Sequence, residues 1–179
     1  MIIAGIGSRE TPITIIEEMI KIGYWCKENK FRVRSGHADG ADYAFELGAE
    51  EYCDVYLPWK GFNDKLISVG QNLYPNDIID IKSKLDKITN LIHPNPSSLT
   101  SGARLLMNRN VCQILGITVD DPVKYVVCWT ADGGFTGGTG QALRIALKCD
   151  IPIFNMYYIR YSTYEKIVEQ INIKERYAR

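Results

Sequence analysis

The sequence lacks a charge of one sign. Its 21 lysines and arginines balance 21 aspartates and glutamates, giving a formal net charge of zero over 179 residues. Strong nonspecific nucleic-acid binders carry a basic excess, so that class is disfavoured, while a local basic patch stays open. Metal-ligand clusters are missing as well. The five cysteines, Cys26, Cys53, Cys112, Cys128 and Cys149, form no CxxC pair and join neither of the two histidines at metal spacing. Neither a metal nor a cofactor is expected. All five thiols lie in or beside apolar runs, which predicts buried free thiols, and an odd count suits a reducing compartment. No run approaches the roughly 18 apolar residues of a spanning helix. The apolar start, Met1 to Gly5, is too short for the core of a signal peptide. These absences predict a cytoplasmic location with no membrane partner. The rest is ordinary globular composition, 46% hydrophobic and 23% charged, and predicts one domain, 1–179, with a full core.

What the chain does have is a recurring unit of strand, glycine loop and helix. Tyr125 to Trp129 is an apolar β-branched strand. It runs into Thr130-Ala-Asp-Gly-Gly-Phe-Thr-Gly-Gly-Thr-Gly140 and then a helical segment, Gln141 to Lys148. Glycines allow close backbone approach to an anion, and the first amides of a helix have no intrahelical partner. Gly137, Gly138 and Thr139 are therefore candidate phosphate ligands in the turn, with Thr130 and Gln141 beside them. The unit recurs at the start of the chain. Ile2 to Ile6 reads as a strand, Gly7-Ser-Arg9 as its loop, and Ile13 to Asn29 as a helix opened by Thr11 as N-cap and Pro12. Gly7 and Ser8 lie where open α/β sheets bind ligands, and Arg9 offers a planar fork suited to phosphate. A further copy runs from Phe31–Ser35 through Gly36-His-Ala-Asp-Gly-Ala-Asp42 to a helix over 43–50. Ser35, Gly36 and Gly40 supply turn geometry and amides. Asp39 and Asp42 favour the positive end of the helix. Asp42 is a candidate cap, ribose ligand or acid/base, and His37 a candidate ligand contact. The units together predict an α/β fold, a Rossmann-like three-layer sandwich with a mostly parallel sheet.

The remaining stretches are less regular. Asp54–Pro58 reads as a strand ending near Trp59, which can stack on a base, with Phe62 and Asn63 close by. The 64–98 stretch reads as an irregular insertion over the site, with Asn72 to Asn76 a loop and near-helical spacing over 78–91. Ser98 to Gly116 reads as a long helix. Asn108, Arg109 and Asn110 interrupt it, since asparagine is a poor helix-interior residue, so Asn108 and Arg109 join the candidate ligands. That helix can also bury a face in a second copy, so a homo-oligomer is expected. Ile151–Phe154 reads as the last strand and Tyr164–Ile171 as a terminal helix.

Gly7-Ser-Arg9, Ser35-Gly-His-Ala-Asp-Gly-Ala-Asp42 and Thr136-Gly-Gly-Thr139 stand in order at the ends of predicted strands. Together they resemble the SLOG superfamily of Rossmann-like proteins. The second motif is similar to the DNA-processing protein A family, and the Gly-Gly-Thr pattern, more distantly, to the LOG phosphoribohydrolases. The likeness covers roughly residues 2–60 and 104–155. It implies a nucleotide or nucleotide-derived partner across the strand ends, flanked by Ser8 and Arg9, with Gly36 and Asp42 on the second loop and phosphate at 137–139. LOG hydrolases place a catalytic glutamate three residues after the threonine. Here Gly140, Gln141 and Ala142 follow Thr139, and none carries a carboxylate. Binding of a nucleoside phosphate, an ADP-ribose-type ligand or a cyclic nucleotide is the leading expectation. N-glycosidic hydrolysis with Asp42 as acid/base is one alternative. Single-stranded DNA binding through Lys60, Arg104, Arg109 and Arg144 is another.

Overall fold

The structure, a computed structural model, describes residues 1–64 and 71–177, apart from the side chains of residues 71 and 72. Six strands form one sheet: β1 (Ile2–Gly7), β2 (Arg32–Ser35), β3 (Cys53–Tyr56), β4 (Gln71–Leu73), β5 (Tyr125–Trp129) and β6 (Ile153–Asn155). Every pairing is parallel, in the order β4-β3-β2-β1-β5-β6. Parallel strands need crossover connections, and the helices supply them. They are α1 (Ile13–Glu28), α2 (Ala41–Ala49), α3 (Ile79–Ile92), α4 (Ser101–Leu115), α5 (Gly137–Lys148) and α6 (Tyr164–Tyr177).

Strand periodicity divides the core into two layers. Along β5, Tyr125 and Val127 face one cluster, with Met19 and Ile22 of α1, Phe45 of α2, and Ile167 and Ile171 of α6. Val126 and Cys128 face the other, with Leu85 of α3, Val111 and Ile114 of α4, and Leu143 and Ala146 of α5. This is the expected three-layer α/β sandwich.

Several local expectations are corrected. Thr11 does not cap α1. Pro12 occupies the cap position, and the Thr11 hydroxyl donates to Ser8 O at 2.7 Å instead. The 64–98 stretch contributes β4 and α3 to the layers, because Leu85 enters the second core and residues 71–73 pair with β3. Residues 65–70 of that stretch lie outside the described residues. Met107 to Ile114 of α4 are buried within the chain, while residues 101–106 are exposed or half-buried. Among the described residues, no helix is long and apolar enough to cross a membrane.

The thiols also divide. Cys26, Cys53, Cys112 and Cys128 are buried, and Cys149, just past the end of α5, is exposed. Burial pushes the Cys26 and Cys112 thiols up to about 12. The thiolate is the reacting form. A thiol reagent at pH 8 should therefore label Cys149 rapidly in the native protein and the buried thiols only on denaturation, as read by mass spectrometry of the intact chain.

Candidate functional site

Strands β2 to β4 step outward on one side of β1, and β5 and β6 lie on the other. The strand order reverses between β1 and β5, and a crevice opens at the C-terminal ends of strands at such a switch point. A cleft of about 580 Å³ lies there. Its first wall is the turn after β1. Ser8 N–H donates to Trp129 O at 3.0 Å, tying the ends of β1 and β5 together. Glu10 N–H donates to Ser8 Oγ at 3.1 Å and folds the turn on itself. Arg9 sits exposed on the rim. No hydrogen bond or ion pair of its side chain is seen among the described residues.

The floor is an ion pair. Arg109 Nη1 donates to Asp42 Oδ2 at 2.8 Å, and the two residues are only 5% and 3% exposed. Asp42 Oδ1 also accepts Gly7 N–H at 3.2 Å. Burial pushes the Asp42 carboxyl above its ordinary range, and the Arg109 guanidinium pulls it back only in part. The Gln113 amide is satisfied when its oxygen accepts from Gly36 N and Arg109 Nη1, both at 3.1 Å, and its nitrogen donates to Asn110 Oδ1 at 3.0 Å. Gly36 is required by this packing, since a Cβ there would overlap Arg109 Nη1. Ser35 Oγ lies 2.9 Å from Gly5 O and 3.0 Å from Asp42 O, which pins the start of α2 to β1.

The opposite wall is the start of α5. The helix begins at Gly137, so the glycines expected in a preceding turn form its first turn. Gly137 takes φ +60°, in the left-handed region that glycine enters freely. Thr136 occupies the N-cap position but makes no side-chain cap bond. The amides of Gly137, Gly138 and Thr139 stand at the helix start, where no intrahelical acceptor is available, have no side-chain partner among the described residues, and border the cleft. Asn110 Nδ2 holds this turn in place by donating to Gly138 O at 2.8 Å. Thr130 Oγ1, also on the cleft, accepts from Asn155 Nδ2 at 2.8 Å. Among the described residues, no three metal-ligating side chains converge.

A solved protein shares this fold. It is the DNA processing protein A from Helicobacter pylori, described for its unique single-stranded DNA binding mode. The TM-score is 0.59 at 17% identity, over 87% of this chain and 64% of that chain. This chain thus spans a little under two thirds of the solved one. The resemblance expected from the glycine motifs holds at the level of the fold. No family model and no curated protein matches the sequence.

Of the residues singled out from sequence, Gly7, Ser8, Arg9, Asp42, Arg109, Thr130, Gly137, Gly138 and Thr139 meet in the cleft. The others are placed elsewhere. Asp42 is not a helix cap, because Gly40 holds that position and the carboxylate turns to Gly7 and Arg109. Ser35 and Gly36 act behind the floor, and Gly40 precedes α2. Asp39 is exposed and does not line the cleft. His37 Nδ1 pairs with Glu46 Oε2 at 2.8 Å, and its ring packs edge-on against Tyr43. Trp59 packs edge-on against Phe62, outside the cleft.

Asn108 is buried on the far side of α4. It donates to Asp86 at 2.7 Å and Asn76 at 3.0 Å, and accepts from Thr89 at 2.8 Å. Residues two apart on a helix lie roughly 200° apart, so Asn108 and Asn110 cannot both face one site. Asn110 is the one on the cleft, with Leu106, Arg109 and Gln113 at helical spacing. That spacing was the available signal for Asn110 and Gln113. Gln141 is fully buried, and its amide makes no hydrogen bond among the described residues. Of the basic residues proposed as a DNA patch, only Arg109 lines the cleft. Arg104 binds Asn90 and Pro96 O, Arg144 binds Phe135 O, and Lys60 lies 3.8 Å from Asp77.

Proposed function

We propose that the cleft binds a nucleotide or nucleotide-derived ligand, with a phosphate at the start of α5. The observation that carries this reading is the convergence of the three helix-start amides, at 137–139, with two arginines at the switch point. A helix start favours an anion through its free N–H groups and its dipole. Arg9 closes over the ligand from the rim, and Arg109 contributes charge from below. Gln113 and Asn110 hold these groups in register. SLOG-type membership is part of the proposal.

The reading is binding rather than hydrolysis. Gln141 and Ala142 offer no carboxylate, and both are buried in α5. Asp42 is held by Arg109 and Gly7, so it serves to place the arginine. A second reading, that the phosphate belongs to single-stranded nucleic acid, is supported by the fold shared with DNA processing protein A.

Calorimetric titration of nucleoside monophosphates, ADP-ribose and cyclic nucleotides tests the proposal. At least one should bind, and saturating ligand should raise Tm. Arg9→Ala should weaken that ligand at least about tenfold, the loss of one charge-assisted hydrogen bond, with Tm unchanged because Arg9 is exposed. Absence of binding by every compound at millimolar concentration would sink the reading.

A further inference from the structure

Tyr157 and Tyr158 follow β6 after Met156, at the same edge of the sheet as the cleft. Both are exposed, 47% and 44%, although they are large aromatic residues. Their rings meet edge-to-face at 5.4 Å. The pair is held in place. Tyr158 Oη donates to Gly133 O at 3.2 Å, and Tyr157 N–H donates to Asn155 Oδ1 at 3.1 Å. Asn155 in turn donates to Thr130 on the cleft wall. A short chain of hydrogen bonds thus fixes the tyrosines relative to the phosphate site. Arg160 is exposed, with its guanidinium carbon 5.8 Å from the centroid of the Tyr158 ring and 4.8 Å from that of Tyr161. It makes no ion pair among the described residues. The one carboxylate in the intervening loop, Asp132, accepts from Gly134 N–H and Thr136 Oγ1.

β6 lies two places from β1 on one side, and β3 lies two places away on the other. At the usual strand spacing each strand is about 10 Å from β1. Trp59 follows β3 and is also exposed. Aromatic groups therefore stand on both flanks of the phosphate site along one edge. A mononucleotide held in the cleft cannot reach both.

We infer that Tyr157, Tyr158 and Arg160 form a second subsite that stacks a base of single-stranded nucleic acid whose neighbouring phosphate lies in the cleft. This rests on the phosphate reading above. Exposed aromatics accept any base by its flat face, and arginine adds a cation for the backbone, so the subsite selects strand over sequence. It also gives a neutral chain a means of binding nucleic acid without a broad basic surface.

The test compares thymidine monophosphate with an oligothymidylate of about 12 nucleotides, within the site sizes single-strand binders use. The oligomer should bind at least about tenfold tighter than the monomer, the gain from one added stacked base. Tyr157→Ala should weaken the oligomer at least roughly fivefold and leave the monomer unchanged. Tyr157→Phe should keep the oligomer affinity. Tyr157 is the position to change because Tyr158 also holds Gly133. A Tyr157→Ala protein with native Tm and undiminished oligomer affinity overturns the subsite, and if the monomer still binds, the cleft reading survives it. A dinucleotide such as NAD binding as tightly as the oligomer overturns the assignment to a strand. If neither monomer nor oligomer binds, the subsite is overturned, and the cleft reading stands or falls on the titration of the other nucleotides.

Discussion

Replacing Arg109 with alanine should lower stability by about 3–5 kcal/mol, the cost of stranding one member of a buried ion pair. For a chain of this size that corresponds to a Tm lower by roughly 6–20 °C. Asp42 is 3% exposed, and Arg109 is the cation that meets its carboxylate. Without it, burial and the neighbouring Glu46 both act against the charged form. The folded carboxyl is already raised above its ordinary value, and the substitution raises it further. A carboxyl raised on folding destabilises the native state once the unfolded chain ionises. The penalty grows as pH rises from the unfolded value to the folded one, and it is relieved on acidification. The stability gap between Arg109→Ala and wild type should therefore narrow from pH 7 toward pH 5, as followed by urea unfolding. Removing both charges, in Asp42→Asn with Arg109→Ala, should recover much of the loss at pH 7. A gap independent of pH, or a double variant no better than the single, would show that the ion pair does not set the stability of the floor. Phosphate-ligand affinity should stay low in the double variant, since recovered folding does not restore the cation.

The same pair shows where the sequence stopped being legible. Asp42 and Arg109 are 67 residues apart. Nothing local distinguishes an aspartate that caps α2 from one that anchors an arginine on α4. The strand–loop–helix units at β1 and β5 were legible because their apolar runs are continuous, and the one at β2, Arg32-Val-Arg-Ser35, because Gly36 and Gly40 mark the loop that follows it. Those units pointed to the sheet edge at which the cleft lies. The start of α5 was less clear, since glycine is a weak helix former and Gly137 to Gly140 read as a turn. In the first turn the N–H groups are free in any case, so the helix can begin there. β4 was missed because it has three residues and an unfavourable Asn72, and its evident partner is the already formed edge of β3. Tyr157 and Tyr158 carry no motif. Only the strand order brings them beside the cleft.

Gly36→Ala should reduce ligand affinity without deleting any group that touches the ligand. Gly36 has no left-handed φ, so the backbone itself tolerates a side chain. The obstacle is space. A Cβ would overlap Arg109 Nη1 and lie 2.5 Å from its Cζ and 2.7 Å from the Gln113 amide. A surface arginine would swing aside at little cost, but this one is held by Asp42 in a buried site. Moving it lengthens the ion pair and tilts the guanidinium away from the cleft. The expected loss is about 1–3 kcal/mol of stability, as for other overpacked cores, together with weaker binding. The mechanism predicts a coupling. Once Arg109 is alanine the space is open, so Gly36→Ala should cost far less in that background than in wild type. Gly102→Ala serves as the control, because a Cβ there meets nothing within 4 Å and the position lies in α4. That change should be neutral or stabilising by up to about 1 kcal/mol. Equal costs of Gly36→Ala in both backgrounds would mean that the glycine serves the β2–α2 turn itself, and that the floor of the cleft is set by the loop rather than by the arginine packed against it.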